Sequence, residues 1–303
     1  MNKSTQTLKE TFFTAVESYN KKDFKNAEAL CYKILSIDPN HSDSIFLLAN
    51  ISASNRNFTD AAELLLKGIK QQPKNTSALN NLGTAYKELG KIDISISYYE
   101  KVLTIDPNNT NANYNLGAVY YSLRQLDKAK NYLEKTVKIQ PNFAFAFFSL
   151  GNVQSELKEY EDAKLSYQKA IKLREDFTGA YNNLGLVYRL LNNYPEAEKC
   201  YKKTIEINPK HVGAYNNLGR LFTELGKFKD AIKCHEKAIE IEPENLYQYF
   251  YLSELKEDFL NLKIKNKIEK TIKKEEITNA NLAFGNFLLS KYEKKRKKLQ
   301  KRI

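Results

Sequence analysis

Six prolines keep one beat through this chain: Pro39, Pro73, Pro107, Pro141, Pro209 and Pro243 stand whole multiples of 34 residues apart, and Glu175 fills the vacant slot. Self-similarity at a fixed period of that size is the mark of a repeat array. A Leu-Gly pair keeps the same interval at Leu82-Gly83, Leu116-Gly117, Leu150-Gly151, Leu184-Gly185 and Leu218-Gly219, with Leu48-Ala49 one step earlier. Seven units are therefore in phase: 8–41, 42–75, 76–109, 110–143, 144–177, 178–211 and 212–245. Residues 246–303 follow as a degenerate hairpin, a further helix and a basic tail.

Apolar spacing inside one unit resolves two helices. Tyr181, Leu184, Gly185, Tyr188 and Leu191 fall at helical intervals on one face, and after the turn Asn-Asn-Tyr-Pro come Ala197, Cys200, Tyr201, Thr204 and Ile207. Pro195 suits the first turn of the second helix, where a missing N–H costs nothing. The closing Ile-Asn-Pro, Ile-Asp-Pro or Ile-Glu-Pro ends that helix, because a residue before proline is pushed out of the α region.

The order large aromatic, Leu-Gly, Tyr, small Ala, aromatic, closing Pro is met by Tyr181, Leu184, Gly185, Tyr188, Ala197, Tyr201 and Pro209, and again by Tyr215, Leu218, Gly219, Phe222, Ala231, His235 and Pro243. In this the chain resembles the tetratricopeptide repeat family over about four fifths of its length. It departs from that pattern in having no tryptophan, in placing Asn113 where Leu79 and Phe147 stand, and in a first unit with Thr14-Ala15 in place of Leu-Gly. The resemblance implies an all-α, right-handed superhelical solenoid of antiparallel helix hairpins. It also implies that the first helix of each unit lines the concave wall.

Two residue types are then out of character with a helix. An interior glycine costs about 1 kcal/mol relative to alanine, yet glycine recurs at 83, 117, 151, 185 and 219. The expected reason is close packing, with Ala61, Ala129, Ala163, Ala197 and Ala231 serving the same approach from the second helix. Asparagine also recurs. Tyr181, Leu184 and Tyr188 face inward, which leaves Asn182 and Asn183 on the outer side of the first helix. Stacked units then align one column of Asn81, Asn115, Ser149, Asn183 and Asn217, with Phe13, Leu47 and Tyr251 at its outlying places, beside a second column of Asn80, Tyr114, Phe148, Asn182 and Asn216. Duplication in an Asn-rich chain accounts for any one of these. As a whole the column reads as a peptide-binding track, since an amide offers a donor and an acceptor together; it is similar to the asparagine ladder of the repeats in O-linked N-acetylglucosamine transferase. Lys87, Tyr121, Arg189 and Arg220 lie further along the same wall, and Phe145 and Phe148, in the run FAFAFFSL, are expected there as apolar anchors near Tyr114. The acidic-tail grip of chaperone-binding relatives is not reproduced, because Lys87 and Arg220 stand alone.

Enzyme chemistry finds no footing. His41, His211 and His235 lack a partner at motif spacing, and no phosphate loop, GxGxxG or HExxH occurs. Three cysteines, Cys31, Cys200 and Cys234, have neither CxxC nor metal-ligand spacing and read as buried apolar residues. No cofactor or metal is expected. No stretch is apolar for the length a membrane span needs, and MNKSTQTLKETFFTAVESYNKKDF is no secretory signal, so a cytoplasmic protein is expected. From Glu244 onward fifteen Lys and Arg face eight acids within a formal net charge of +12.

The leading expectation is a non-enzymatic scaffold holding an extended protein segment from about Asn81 to Asn217. Two rivals stand beside it. One is anion binding, to nucleic acid or a membrane surface, through residues 291–303, with Lys294, Lys295, Arg296, Lys297 and Lys298 at its centre; a solvated helix end is the plainer account of that run. The other is the substrate-docking arm of a glycosyltransferase or sulfotransferase, the chain being a piece of something longer.

Overall fold

The computed structural model describes residues 3–274 and 276–300. Two compact units divide the chain, residues 1–153 and residues 154–303. In the first lie α1 (Lys3–Asn20), α2 (Phe24–Ile37), α3 (Ser42–Ser54), α4 (Phe58–Gln71), α5 (Thr76–Glu88), α6 (Ile92–Ile105), α7 (Thr110–Ser122), α8 (Leu126–Ile139) and most of α9 (Ala144–Glu156). The second holds α10 (Tyr160–Leu173), α11 (Thr178–Leu190), α12 (Tyr194–Ile207), α13 (Val212–Glu224), α14 (Phe228–Ile241), α15 (Leu246–Leu255), α16 (Leu262–Ile272) and α17 (Asn279–Gln300). No strand occurs among the described residues.

The hairpins start, turn and stop by recurring local devices, although α11 opens at Phe177 with no side-chain cap. First helices are capped at one repeat position by the side chains of His41, Asn75, Asn109, His211 and Asn245, which accept a backbone N–H of the opening turn. At the turn between the two helices one residue adopts the left-handed conformation: Lys22, Arg56, Gly90, Arg124, Lys158, Asn192 and Gly226, with φ from 58° to 73°. Around it the chain closes with bonds such as Asn57 N–H to the Ser52 carbonyl at 2.8 Å and Asn193 N–H to the Tyr188 carbonyl at 2.8 Å, the arrangement that satisfies the last carbonyls of a helix. The second helix ends on an extended residue before proline, for example Asp106 at φ −136°. Arg174, before Glu175, adopts φ −145° without any proline behind it, so that ending does not depend on the ring.

In the first unit α1–α2, α3–α4, α5–α6 and α7–α8 pair as hairpins, and α2 packs on α3, α4 on α5 and α6 on α7. First helices of successive hairpins also approach one another, α1 with α3 and α5 with α7. In the second unit α11–α12 and α13–α14 pair likewise, α10 packs on α11, and α11 approaches α13.

The glycines answer to a large side chain rather than to a backbone. A Cβ placed on Gly83 would lie 2.7 Å from Tyr99 Cε1, and on Gly185 2.6 Å from Tyr201 Cε1. Gly117 faces Leu133 Cγ at 2.7 Å and Gly219 faces His235 Nε2 at 2.8 Å. The expectation of backbones in direct approach is thereby refined: the gap left by glycine is filled by the large side chain of the second helix, while Ala129, Ala163, Ala197 and Ala231 are fully buried nearby. Asn113, the departure from Leu79, is buried and donates to the Asn109 carbonyl at 2.9 Å.

At the carboxyl end α17 packs on α15 and α16 around Leu246, Tyr249, Leu260, Ile268 and Leu288. It clamps both ends of α15. Asn281 Oδ1 accepts the Leu246 N–H at 2.7 Å, and Lys291 Nζ donates to the Ser253 carbonyl at 2.7 Å and to Glu254 at 2.6 Å. Lys295, expected as part of an anion-binding run, donates to the Glu257 carbonyl and lies 3.6 Å from Asp258. Arg296 pairs with Glu293 at 3.5 Å, whereas Lys294, Lys297 and Lys298 are exposed.

The candidate binding face

The first-helix residues singled out in sequence come together in two sets, one in each unit. In the first unit Asn81 is exposed, and Asn80, Tyr114, Asn115, Phe148 and Ser149 are half-buried. Their side chains bond across neighbouring hairpins. Asn81 Nδ2 donates to Asn50 Oδ1 at 3.0 Å, Asn115 Nδ2 donates to Asn80 Oδ1 at 3.1 Å, and the Tyr114 and Ser149 hydroxyls lie 3.5 Å apart. Tyr114 also packs on Phe143, ring centres 4.9 Å apart. Phe145 is 46% exposed, Tyr121 is half-buried, and Lys87 pairs with its neighbour Glu88 at 3.0 Å.

The second unit repeats the pattern. Asn217 Nδ2 donates to Asn182 Oδ1 at 3.0 Å, and Asn182 Nδ2 to Asn183 Oδ1 at 3.2 Å. Arg189 is held by Glu224 at 2.8 Å, with its side chain 15% exposed. Arg220 and Asn216 are half-buried. The links therefore do not run down a single column. They step from one column to the other in the preceding hairpin, 35 residues back for Asn115 and Asn217. Part of each amide's bonding capacity is thus spent on knitting first helices together. An amide carries two N–H donors and a carbonyl with two lone pairs, so each linked donor keeps a second N–H and its own oxygen.

Sequence reasoning missed Asn50, whose spacing to Asn81 is 31 residues and breaks the period. It lies in a hollow of about 350 Å³ with Tyr19, Ser54, Leu65, Asn81 and Thr84. It missed also the aromatic group closing the second unit, in which Phe250 meets Phe284 at 5.6 Å and Phe287 at 5.3 Å. The Phe284-Gly285 pair, two residues out of step with the earlier Leu-Gly pairs, keeps their function: a Cβ on Gly285 would lie 2.3 Å from Ile272 Cγ2.

None of the groups that titrate abnormally forms a reacting set. Burial pushes the Cys31 thiol up to about 11, Cys200 to about 12 and Cys234 to about 11, so all three are protonated and inert at neutral pH. His41 and His211 are helix caps, and His235 is fully buried between Gln248 and Tyr251. No group of His, Cys, Asp and Glu among the described residues could hold a metal ion, and none of the described helices is long and apolar enough to cross a membrane.

A stack of helical hairpins that presents a face of linked amides and aromatic rings defines an all-α repeat solenoid of the protein-interaction class. The chain belongs to the tetratricopeptide repeat family: models of the tetratricopeptide repeat match residues 20–86, 76–109, 98–131 and 177–244, and a further TPR repeat model matches 155–191. Among curated proteins it is similar to a UDP-N-acetylglucosamine–peptide N-acetylglucosaminyltransferase of Caenorhabditis elegans, 32% identical over 92 residues. That match takes in 30% of this chain and only 8% of the enzyme's length. The structure of MamA is similar at 32% identity and a TM-score of 0.52, covering 54% of this chain and 95% of MamA. YrrB, described as a TPR protein with an unusual peptide-binding site, shares the fold at 23% identity and a TM-score of 0.57, over 63% of this chain and 99% of its own.

Proposed function

We propose that the chain is a non-enzymatic scaffold that holds an extended segment of a partner protein against its first-helix faces, framed by seven in-register units over residues 8–245. The observation that carries the reading is the amide linkage. Asn81, Asn115 and Asn217 are each fixed by one hydrogen bond to a neighbouring hairpin, and each keeps a donor and an acceptor for a ligand. Groups fixed in advance lose little freedom on binding, so even modest contacts add to affinity. An extended chain rises about 3.3 Å per residue, so several residues pass between successive amides and their contacts tolerate many sequences. Selectivity then falls to Tyr114, Phe145, Phe148, Arg189 and Arg220. A peptide ligand is also the kind named for YrrB.

A peptide-library capture comparing the natural chain with an Asn81→Ala, Asn115→Ala, Asn183→Ala, Asn217→Ala variant tests this. Loss of capture with an intact helical spectrum supports it; equal capture by a folded variant sinks it. A second reading, the docking arm of a glycosyltransferase, draws on the 92 residues shared with the C. elegans enzyme. It predicts that captured segments are themselves acceptors of a sugar.

A further inference from the structure

The hollow beside Asn50 lies where the hairpin α3–α4 carries smaller residues than its successors at two repeat positions. In the next hairpin the fully buried ring of Tyr99 fills the gap above Gly83, and its hydroxyl lies 3.0 Å from Thr84 Oγ1. One repeat earlier Leu65 stands at the place of Tyr99 and Asn50 at that of Thr84, so Asn50 meets no hydroxyl from α4. Ala53 likewise takes the place that Lys87, Tyr121 and Arg189 hold in later repeats. What remains is a space of about 350 Å³ bordered by Ala49, Asn50, Ala53 and Leu65 of this hairpin and by Asn81 and Thr84 of the next. About 150 Å³ is enough to hold a benzene ring in a protein interior.

Its wall is apolar and its rim polar. Ala49, Ala61 and Leu65 are buried, whereas Ser54 and Asn81 are exposed and Asn50, Ala53 and Thr84 half-buried, so the hollow is open to a ligand. Among the described residues no charged side chain lines it. A carboxylate or an ammonium group would lose its water there without a counter-charge, whereas an uncharged ring with one polar tip suits both wall and rim. Asn81 Nδ2 donates to Asn50 Oδ1 at 3.0 Å, which leaves both N–H of the Asn50 amide and the Asn81 oxygen without a hydrogen bond among the described residues.

We propose that this hollow is a socket for a tyrosine side chain of the partner segment, an inference that rests on the peptide-binding reading above and names a residue the face selects. The guest ring supplies here what Tyr99 supplies inside its own hairpin. It covers the apolar wall of Ala49 and Leu65, and its hydroxyl accepts an N–H of Asn50. The Asn81 oxygen stays available for a backbone N–H of the same segment.

The test is fluorescence anisotropy with the full chain and labelled Gly-Ser peptides carrying a single Tyr, Phe, Leu or Ala. The Tyr peptide is expected to bind most tightly, the Phe peptide about two- to tenfold more weakly, and the Ala peptide roughly ten- to a hundredfold more weakly. Asn50→Ala should abolish the preference for Tyr over Phe. The double variant Ala49→Gly, Leu65→Tyr rebuilds the Gly83–Tyr99 pair and closes the socket, so it should hold the Tyr peptide no better than the natural chain holds the Ala peptide. Should that variant fail to fold, Asn50→Ala and the peptide series on the natural chain report the same socket. Undiminished Tyr binding by the folded double variant overturns the proposal, and Leu binding as tightly as Tyr overturns it in favour of a general apolar hollow. A dimer of the natural chain in sedimentation that the double variant abolishes, with no preference among the peptides, gives the hollow to a second copy instead. Tyr and Ala peptides held equally, with binding lost in an Asn115→Ala, Asn183→Ala, Asn217→Ala variant, overturns the socket and leaves the peptide reading standing. Binding of none of the peptides overturns both.

Discussion

Replacing Gly185 by alanine sets two opposed effects against each other, and the structure decides between them. Alanine in a helix interior is favoured over glycine by about 1 kcal/mol. Against that, the new Cβ would stand 2.6, 2.8 and 3.1 Å from Tyr201 Cε1, Cδ1 and Cζ, where contacting carbons prefer about 3.5–4.0 Å. Tyr201 is fully buried in a cluster with Ala197, Leu218 and Phe222, so its ring can give way only by disturbing those neighbours. Overpacking of this kind costs about 1–3 kcal/mol. Gly185→Ala is therefore expected to be destabilising, and Gly185→Leu far more so. Urea unfolding followed by far-UV circular dichroism measures it, and a second background sharpens it. With Tyr201→Ala the obstacle is gone, so adding Gly185→Ala there should stabilise by about 1 kcal/mol. A reversal of sign between the two backgrounds is the expected result. Alanine stabilising both backgrounds equally would refute the account of the ring filling the glycine gap.

Two other expectations follow from the fold. Gly90 has φ 73° and nothing within 4 Å of a built Cβ, so Gly90→Ala should cost about 1 kcal/mol through backbone conformation alone, while Lys158→Gly, at φ 64°, should gain up to about 1 kcal/mol; unfolding curves that show neither shift would contradict the turn geometry. Burial, opposed by the hydrogen bond with Gln248, holds His235 below its ordinary value, so the folded chain prefers the neutral ring. Its contribution to stability is whole above about pH 6.5, where the unfolded histidine is also neutral, and is lost as pH falls from there through the lower folded value. Melts across that range should slope less steeply in His235→Tyr, and identical slopes would remove His235 as the cause.

Periodicity made most of the architecture readable. Prolines, Leu-Gly pairs and apolar spacing sufficed for the hairpins because each is a local requirement of a helix end or a packing face. The left-handed turn residues were not readable, since five of the seven are Lys, Arg or Asn and only Gly90 and Gly226 advertise the conformation. The histidine caps were hidden for a like reason: His41 and His211 occupy places where Asn75, Asn109 and Asn245 do the same work. The asparagine columns could be aligned from sequence, but their partners could not. Whether Asn115 meets residue 81 or residue 80 depends on how one hairpin is rotated against the next, which a repeat count leaves open. The same limit applied to Lys291 and Lys295, whose role at the end of α15 comes from the docking of α17.

The step of 35 residues between linked amides is one longer than the repeat itself. A bond of that length always ties a hairpin to its predecessor and never to itself. Duplicating a hairpin that carries both amides, such as the one with Asn182 and Asn183, would therefore supply the next tie without a single new substitution, whereas the hairpins with Tyr114 or Phe148 could not. Inserting one residue in a first helix, by contrast, would put the whole file out of step. The array can thus grow in whole modules where the copied hairpin carries both amides, and at Tyr251, which has none, the file of amide ties is not continued.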